Sequence, residues 1–109
     1  MGDIGLQTNS RPLGMEVFLL TRPPHSQRTK ICLRLVESSR NAILYLAGDG
    51  VQNLLGTSLN ALPKDRIFAC KEDILARGIQ MEEKATLLAD FYERLAIDLL
   101  RDGNKIYSF

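Results

Sequence analysis

The sequence has no tryptophan, one histidine and only two cysteines, and each of these scarcities excludes a class of protein. Two cysteines are too few for the disulfide framework of a small secreted domain. One histidine, with no close Cys/His pair, argues against a structural zinc site, so we expect no bound metal. We therefore expect two free thiols in a reducing cytoplasm.

Strong charge and long apolar runs are also missing. The formal net charge is +1 over 109 residues, which gives no field of one sign to attract nucleic acid. No apolar run approaches the roughly 18 residues that a membrane span requires. The start of the chain lacks the basic and apolar regions of a signal peptide. We expect neither direct binding to nucleic acid nor association with a membrane.

What is present fits one globular domain. Hydrophobic residues make up 45% of the chain and charged residues 25%, and 109 residues are enough for a single core. Residues 1–14 are rich in Gly, Asn, Ser and Pro and have no periodicity, which predicts a flexible tail before a domain spanning residues 15–109. Met15 is an alternative natural start.

Strand and helix patterns alternate along the domain. The predicted strands are Met15–Thr21, the run AILYL, Arg66–Cys70, Ala85–Leu88 and the C-terminal KIYSF. The predicted helical segments run from a Ser26 cap to about Ser38, over VQNLLG, over KEDILARG with Gly78 at its C-cap, and from Asp90 to Gly103. This order predicts an α/β fold: one three-layer domain with about five mostly parallel strands flanked by helices, in a flavodoxin- or Rossmann-like topology.

Helical spacing also predicts which side chains are buried. In the first helix these are Ile31, Cys32, Leu35 and Val36, and in the last they are Phe91, Leu95 and Leu99. One long helix from Glu82 to Arg101 is an alternative for the last third. We favour the broken version, because Asp90 followed three residues later by Glu93 has the spacing of a capping pair.

Cys70 is the first candidate for chemistry, because it stands where a predicted parallel strand meets a helix. Sites of open α/β sheets collect at this edge, and a helix N-terminus favours the thiolate. The negative charges of Glu72 and Asp73 oppose ionisation, and Lys71 partly offsets them. A reactive thiol and a buried strand-end residue therefore remain open. Cys32 lies on an apolar stripe, where free cysteine behaves as a core residue.

Other residues of the same edge give weaker signals. Asp49 and Gly50 belong to the Gly-Asp-Gly turn after the second strand, a segment that is typical of a tight turn and secondarily of ligand binding. His25 follows two prolines, as a solvated loop histidine or as a proton-transfer partner for Cys70. Arg77 lies seven residues after Cys70, about 10 Å along a helix, too far for a direct ion pair. The glycine-rich nucleotide motifs and C-x-x-C are absent.

The order of these segments resembles the DsrE/DsrF/DsrH-like family of small sulfur-relay proteins, which includes TusB, TusC and TusD. The resemblance spans about residues 15–109. Its most specific pieces are DGV, from Asp49 to Val51, and EDILARG, from Glu72 to Gly78, which is most similar to the DsrH/TusB branch. The resemblance implies a five-stranded α/β domain assembled into trimers or stacked hexamers, or into hetero-oligomers with related subunits.

The resemblance also implies a role. Active members carry sulfur as a persulfide on one cysteine, which stands eight residues before the Gly of an Arg-Gly pair; Cys70, Arg77 and Gly78 match that spacing. On this hypothesis Cys70 accepts sulfane sulfur from a donor protein and passes it to an acceptor protein without any cofactor, and Lys71 steers acidic partners.

Two alternatives remain. DsrH/TusB-like members often lack a working cysteine and carry acidic residues at this place, so the chain would be a non-catalytic subunit that completes an oligomer. Its contacts would then include VQNLLG and KIYSF. A weaker hypothesis is a small-ligand or nucleotide binder at the Gly48–Gly50 turn.

Overall fold

The structure is a computed structural model that describes residues 14–80 and 83–109. Except for Gly14, the predicted flexible tail lies outside the described residues. The five strands are β1 (Glu16–Leu20), β2 (Ala42–Leu46), β3 (Ile67–Cys70), β4 (Thr86–Leu88) and β5 (Lys105–Ser108). They form one sheet in the order β4-β3-β2-β1-β5, and every neighbouring pair is parallel. The predicted α/β fold with a parallel sheet and flanking helices is confirmed.

Within the described residues, three α-helices and two 3₁₀ segments connect the strands. The helices are α1 (Gln27–Ser38), α2 (Lys71–Ala76) and α3 (Phe91–Leu100), and the 3₁₀ segments are Gly48–Leu55 and Lys64–Arg66. The last third of the chain contains β4 and α3 as separate elements, so the broken version is correct. No helix among the described residues is long and apolar enough to cross a membrane.

Helix α1 begins as its sequence predicts. The Ser26 hydroxyl oxygen accepts a hydrogen bond from the backbone N–H of Thr29 at 3.0 Å. Cys32 and Val36 are buried as expected, but Ile31 and Leu35 are exposed, which corrects the predicted stripe. Thr29 is buried instead, because its hydroxyl donates a hydrogen bond of 2.8 Å to the carbonyl oxygen of Pro23 in the preceding loop.

The two faces of the sheet are covered unequally. One face, here called the α1 face, packs against α1, the first 3₁₀ segment and α2; its strand residues include Phe18, Leu20, Leu44, Leu46 and Ile67. The opposite α3 face carries Val17, Ile43, Tyr45, Phe68 and Cys70. Among the described residues, α3 is the only helix on that face, because the chain crosses to it only once, between β4 and β5.

Helix α3 differs from its predicted pattern on the buried side and at both ends. Phe91 and Leu95 are buried as expected, but Leu99 is 41% exposed and Asp98 is buried in its place. The Tyr45 hydroxyl donates a hydrogen bond to the Asp98 carboxylate, which satisfies that buried group.

Neither end of α3 follows the sequence prediction in full. Asp90 is the N-cap residue but its side chain makes no capping hydrogen bond, so the expected pairing with Glu93 does not form. The helix ends at Leu100 rather than at Gly103. Gly103 has φ +89° and lies in the turn that leads into β5, a left-handed conformation that favours glycine.

Candidate functional site at the carboxyl ends of β3 and β4

The connections after β3 and β4 leave the sheet in opposite directions. After β3 the chain enters α2, whose Ile74 packs on the α1 face, whereas after β4 it enters α3 on the other face. Ligands of open α/β sheets bind in the crevice that such a divergence creates at the carboxyl ends. Cys70 ends β3 and pairs with Leu88, which ends β4. Cys70 therefore lies at the topological switch point.

The Cys70 thiol is nevertheless buried. Only 3% of the residue is exposed, and it packs in the core cluster of the α3 face with Phe68, Leu88 and Phe91. It is the N-cap residue of α2, but its thiol makes no capping hydrogen bond of regular geometry.

The pKa of Cys70 is raised, in the direction opposite to that expected for an activated thiol. Burial is the largest cause, and the Asp73 carboxylate raises the pKa further. The backbone N–H groups of Asp73 and Glu72 act in the opposite direction, but they do not outweigh burial. The direction of this shift favours the neutral thiol over the thiolate.

Tyr92 is a neighbour of this site that the sequence did not reveal. Partial burial raises the pKa of its hydroxyl, and negative charge on Cys70, Asp73 and Glu72 raises it further. Tyr92 lies in the first turn of α3, 22 positions after Cys70 in the sequence. The crossover between the two faces brings these residues together, and no local pattern indicates that contact.

The Gly-Asp-Gly turn and the EDILARG segment contact each other through four residues, here called the rim clasp: Gly48, Asp49, Asp73 and Arg77. The backbone N–H of Gly48 donates a hydrogen bond of 2.7 Å to Asp73 Oδ2. The Arg77 guanidinium forms ion pairs with Asp49 at 3.0 Å and with Asp73 at 3.5 Å. The two most specific pieces of the sequence resemblance are thus joined by direct contacts.

Both glycines of the candidate set have structural explanations. A Cβ added to Gly50 would lie 2.0 Å from the carbonyl oxygen of Leu20, so only glycine lets the 3₁₀ segment approach the end of β1. Gly78 has φ +63° and follows Arg77, the C-cap residue of α2. The backbone N–H of Gly78 bonds to Leu75 O and that of Ile79 bonds to Ile74 O, the two hydrogen bonds of a Schellman motif.

The remaining candidates are not assembled around the thiol. His25 is exposed and lines a surface cleft with Pro23, Gln52 and Leu55, and Cys70 is not among the residues that form this cleft. β2 lies between β1, which precedes His25, and β3, so the two strand ends are about 10 Å apart. Lys71 is exposed at the start of α2.

The turn at Gly48–Gly50 has already used its polar groups. The Gly48 N–H donates to Asp73 and the Gly50 N–H donates to the carbonyl oxygen of Ala47, so neither N–H is free to bind a phosphate in this structure. Within residues 14–80 and 83–109, no three His, Cys, Asp or Glu side chains come close enough together to hold a metal ion.

Comparisons with protein-family models, with curated proteins and with solved structures found no match to this chain. The site must therefore be judged from its own geometry.

Proposed function

We propose that this chain is a non-catalytic subunit of a sulfur-relay assembly of the DsrE/DsrF/DsrH type, and that Cys70 is a packing residue in it. The observation that carries the proposal is the burial of Cys70. The thiol lies at the edge from which a carrier would present sulfur, yet it is 3% exposed and its pKa is raised. Sulfur exchange requires an accessible thiolate, which this protomer does not offer.

The rim clasp supports the same role. The DGV and EDILARG segments carry the resemblance to the family, and Asp49 and Arg77 in them form an ion pair with each other. Asp73 accepts a hydrogen bond from the Gly48 N–H, and its carboxylate raises the pKa of the Cys70 thiol rather than lowering it. These contacts stabilise the sheet edge and do not activate the thiol.

Apolar side chains left on the surface support a role in assembly. Five large apolar residues of the described chain are more than half exposed: Leu55, Leu75, Tyr92, Ile97 and Leu100. Single exposed apolar side chains are common, but neighbouring ones mark interaction surfaces. Leu55 belongs to the predicted contact segment VQNLLG, and Ile106 of the predicted contact segment KIYSF is also exposed.

The test combines the mass of the assembly with a sulfur challenge. We expect native mass spectrometry to show an oligomer for the wild-type chain and the same oligomer for Cys70→Ser, because serine is a good N-cap residue at the start of α2. After exposure to polysulfide, no adduct of about 32 Da should form on Cys70 of the folded protein. A stable adduct on Cys70, absent from Cys70→Ser, would overturn the proposal.

A sulfur carrier is the second candidate, favoured by the position of Cys70 at the switch point beside the N–H groups of Asp73 and Glu72. In this reaction the Cys70 thiolate attacks the outer sulfur of a donor persulfide. A new S–S bond forms on Cys70, the donor S–S bond breaks, and the donor leaves as a thiolate. Lys71, exposed next to the thiol, would attract acidic partners. For this sulfur-carrier function, a partner protein must expose Cys70. The expected observation is the adduct of about 32 Da on Cys70 described above.

A further inference from the structure

The outer surface of α3 is the most apolar helix surface of the described chain. Its exposed side chains are Tyr92 at 61%, Ile97 at 60%, Leu99 at 41% and Leu100 at 83%. The side that faces the sheet includes the buried carboxylate of Asp98, so the usual distribution of polar and apolar residues is partly reversed. A helix of this kind needs a partner for its outer side.

Charged residues at the two ends of this surface indicate what the partner is. Glu93 and Ile97 are four residues apart and lie in one row along the helix, and Arg101, the C-cap residue that directly follows α3, continues the same four-residue spacing. The row is acidic at its start, apolar in the middle and basic at its end. None of the ion pairs formed among residues 14–80 and 83–109 involves Glu93 or Arg101.

We propose that the outer face of α3 is a twofold interface between two copies of this chain, with the two α3 helices antiparallel and Ile97 near the axis. In this arrangement Glu93 of each copy faces Arg101 of the other, and Ile97 and Leu100 lie between the two pairs. A parallel arrangement would place Glu93 against Glu93 and Arg101 against Arg101. The charge order therefore selects an antiparallel, self-complementary contact, as twofold symmetry requires.

The inference deepens the proposed assembly role and rests on it, because it names one contact by which such an assembly forms. A ten-residue helix contributes a small interface, extended by Ile106, which is exposed on the same face of the sheet. Interfaces of this size are at the weak end of specific contacts, so we expect a dimer with a dissociation constant on the order of micromolar.

Charge exchange at Glu93 and Arg101 tests the arrangement by sedimentation equilibrium. Glu93→Arg and Arg101→Glu each place like charges opposite each other twice, and each should weaken dimerisation at least about tenfold. The double variant Glu93→Arg/Arg101→Glu restores both pairs and should return the dissociation constant to near the wild-type value. Glu37→Arg makes the same charge change on the exposed side of α1 and should leave it unchanged. Circular dichroism establishes that every variant is folded.

Each other outcome contradicts the inference. If the wild-type chain assembles and the single variants assemble equally well, the contact lies on another surface, and the proposed assembly role stands. If the single variants dissociate but the double variant does not recover, the antiparallel pairing is wrong. A wild-type chain that remains monomeric at hundreds of micromolar would overturn this inference as well, whereas sulfur uptake by Cys70 would overturn the proposed function alone.

Discussion

The two faces of the sheet each bury one cysteine, but they are built in different ways. On the α1 face, two helices and a 3₁₀ segment enclose Cys32 in an apolar core, and burial raises its pKa to about 12. On the α3 face, one helix covers Cys70, and the core includes the polar contact between Tyr45 and Asp98. Both faces leave apolar side chains exposed: Leu55 and Leu75 on elements that cover the α1 face, and Ile97 and Leu100 on α3.

The two faces differ in how much helix surface covers them. Covering a sheet face requires helix surface, and α3 spans only ten residues across five strands. The first turn of α3 covers the sheet edge near Cys70, and its last turn leads back to β5. Variants that disturb only one face therefore show how far the stability of each face depends on the other.

The largest effect is expected from Gly50→Ala, which breaks the contact between the α1 face and the end of β1. The new Cβ would lie 2.0 Å from Leu20 O and 2.8 Å from Leu20 C, and both are backbone atoms that cannot move without disturbing β1. We expect the free energy of unfolding, measured by urea denaturation, to fall by at least about 3 kcal/mol.

Gly56→Ala is the matched control, because nothing lies within 4 Å of a Cβ at that position. Its effect should stay within about 0.5 kcal/mol. A Gly50→Ala protein as stable as Gly56→Ala would mean that the 3₁₀ segment is free to move away from β1.

On the α3 face, Asp98→Ala removes the nearer acceptor of the buried Tyr45 hydroxyl and leaves the carbonyl oxygen of Arg94 at 3.4 Å. We expect a loss of about 2 kcal/mol in the free energy of unfolding, since a buried donor is left without this partner. The measurement uses a protein concentration low enough to keep the chain monomeric. Asp102→Ala, at an exposed position, should be close to neutral. A double-mutant cycle with Tyr45→Phe that shows no coupling between the two residues would contradict this account.

The sequence predicted what depends on near neighbours. The Ser26 cap, the β1 and β3 strands and the burial of Cys32 follow from spacing within a few residues, and all are confirmed. Asp98 was missed because a stripe of apolar residues cannot show that Tyr45, on a strand 53 residues earlier, provides a hydroxyl group for it. Periodicity alone favoured Leu99, which is on the outside.

The candidate site was less predictable, because it is made by contacts between distant segments. The position of Cys70 at a strand end could be read from the chain, but its burial depends on α3, which crosses the sheet afterwards. The partner of Arg77 is Asp49, 28 residues earlier in another turn, and the helix spacing indicated only that Cys70 was out of reach. The residue types were evident, whereas their pairing was decided by the topology.

A smaller effect is expected from Cys32→Ala, in how the free energy of unfolding depends on pH. The Cys32 thiol has its pKa raised from 9.0 to about 12 in the folded chain, so above pH 9 the unfolded chain loses this proton while the folded chain keeps it. The contribution is complete below pH 9 and is lost as the pH rises toward 12, by up to about 1.4 kcal/mol per pH unit. Cys32→Ala should therefore flatten the fall in unfolding free energy between pH 9 and pH 10.5. Parallel curves for wild type and variant would show that the thiol is not buried.

The smallest effect is expected at the rim clasp, where Arg77→Gln removes the ion pairs with Asp49 and Asp73. All three side chains are partly exposed to solvent, so water and salt screen the pairs, and the loss in unfolding free energy should be about 0.5 to 1 kcal/mol. The hydrogen bond from the Gly48 N–H to Asp73 remains, which keeps α2 against the turn.

Salt sharpens this last measurement, because a true ion-pair contribution must shrink as ionic strength rises. The difference between wild type and Arg77→Gln should be largest in low salt and near zero in molar salt. Lys71→Gln is the control, since Lys71 forms no ion pair within residues 14–80 and 83–109. If the Arg77 effect persists undiminished in molar salt, the side chain stabilises the edge by packing rather than by charge. The clasp would then hold the two segments together through that packing and the Gly48–Asp73 hydrogen bond.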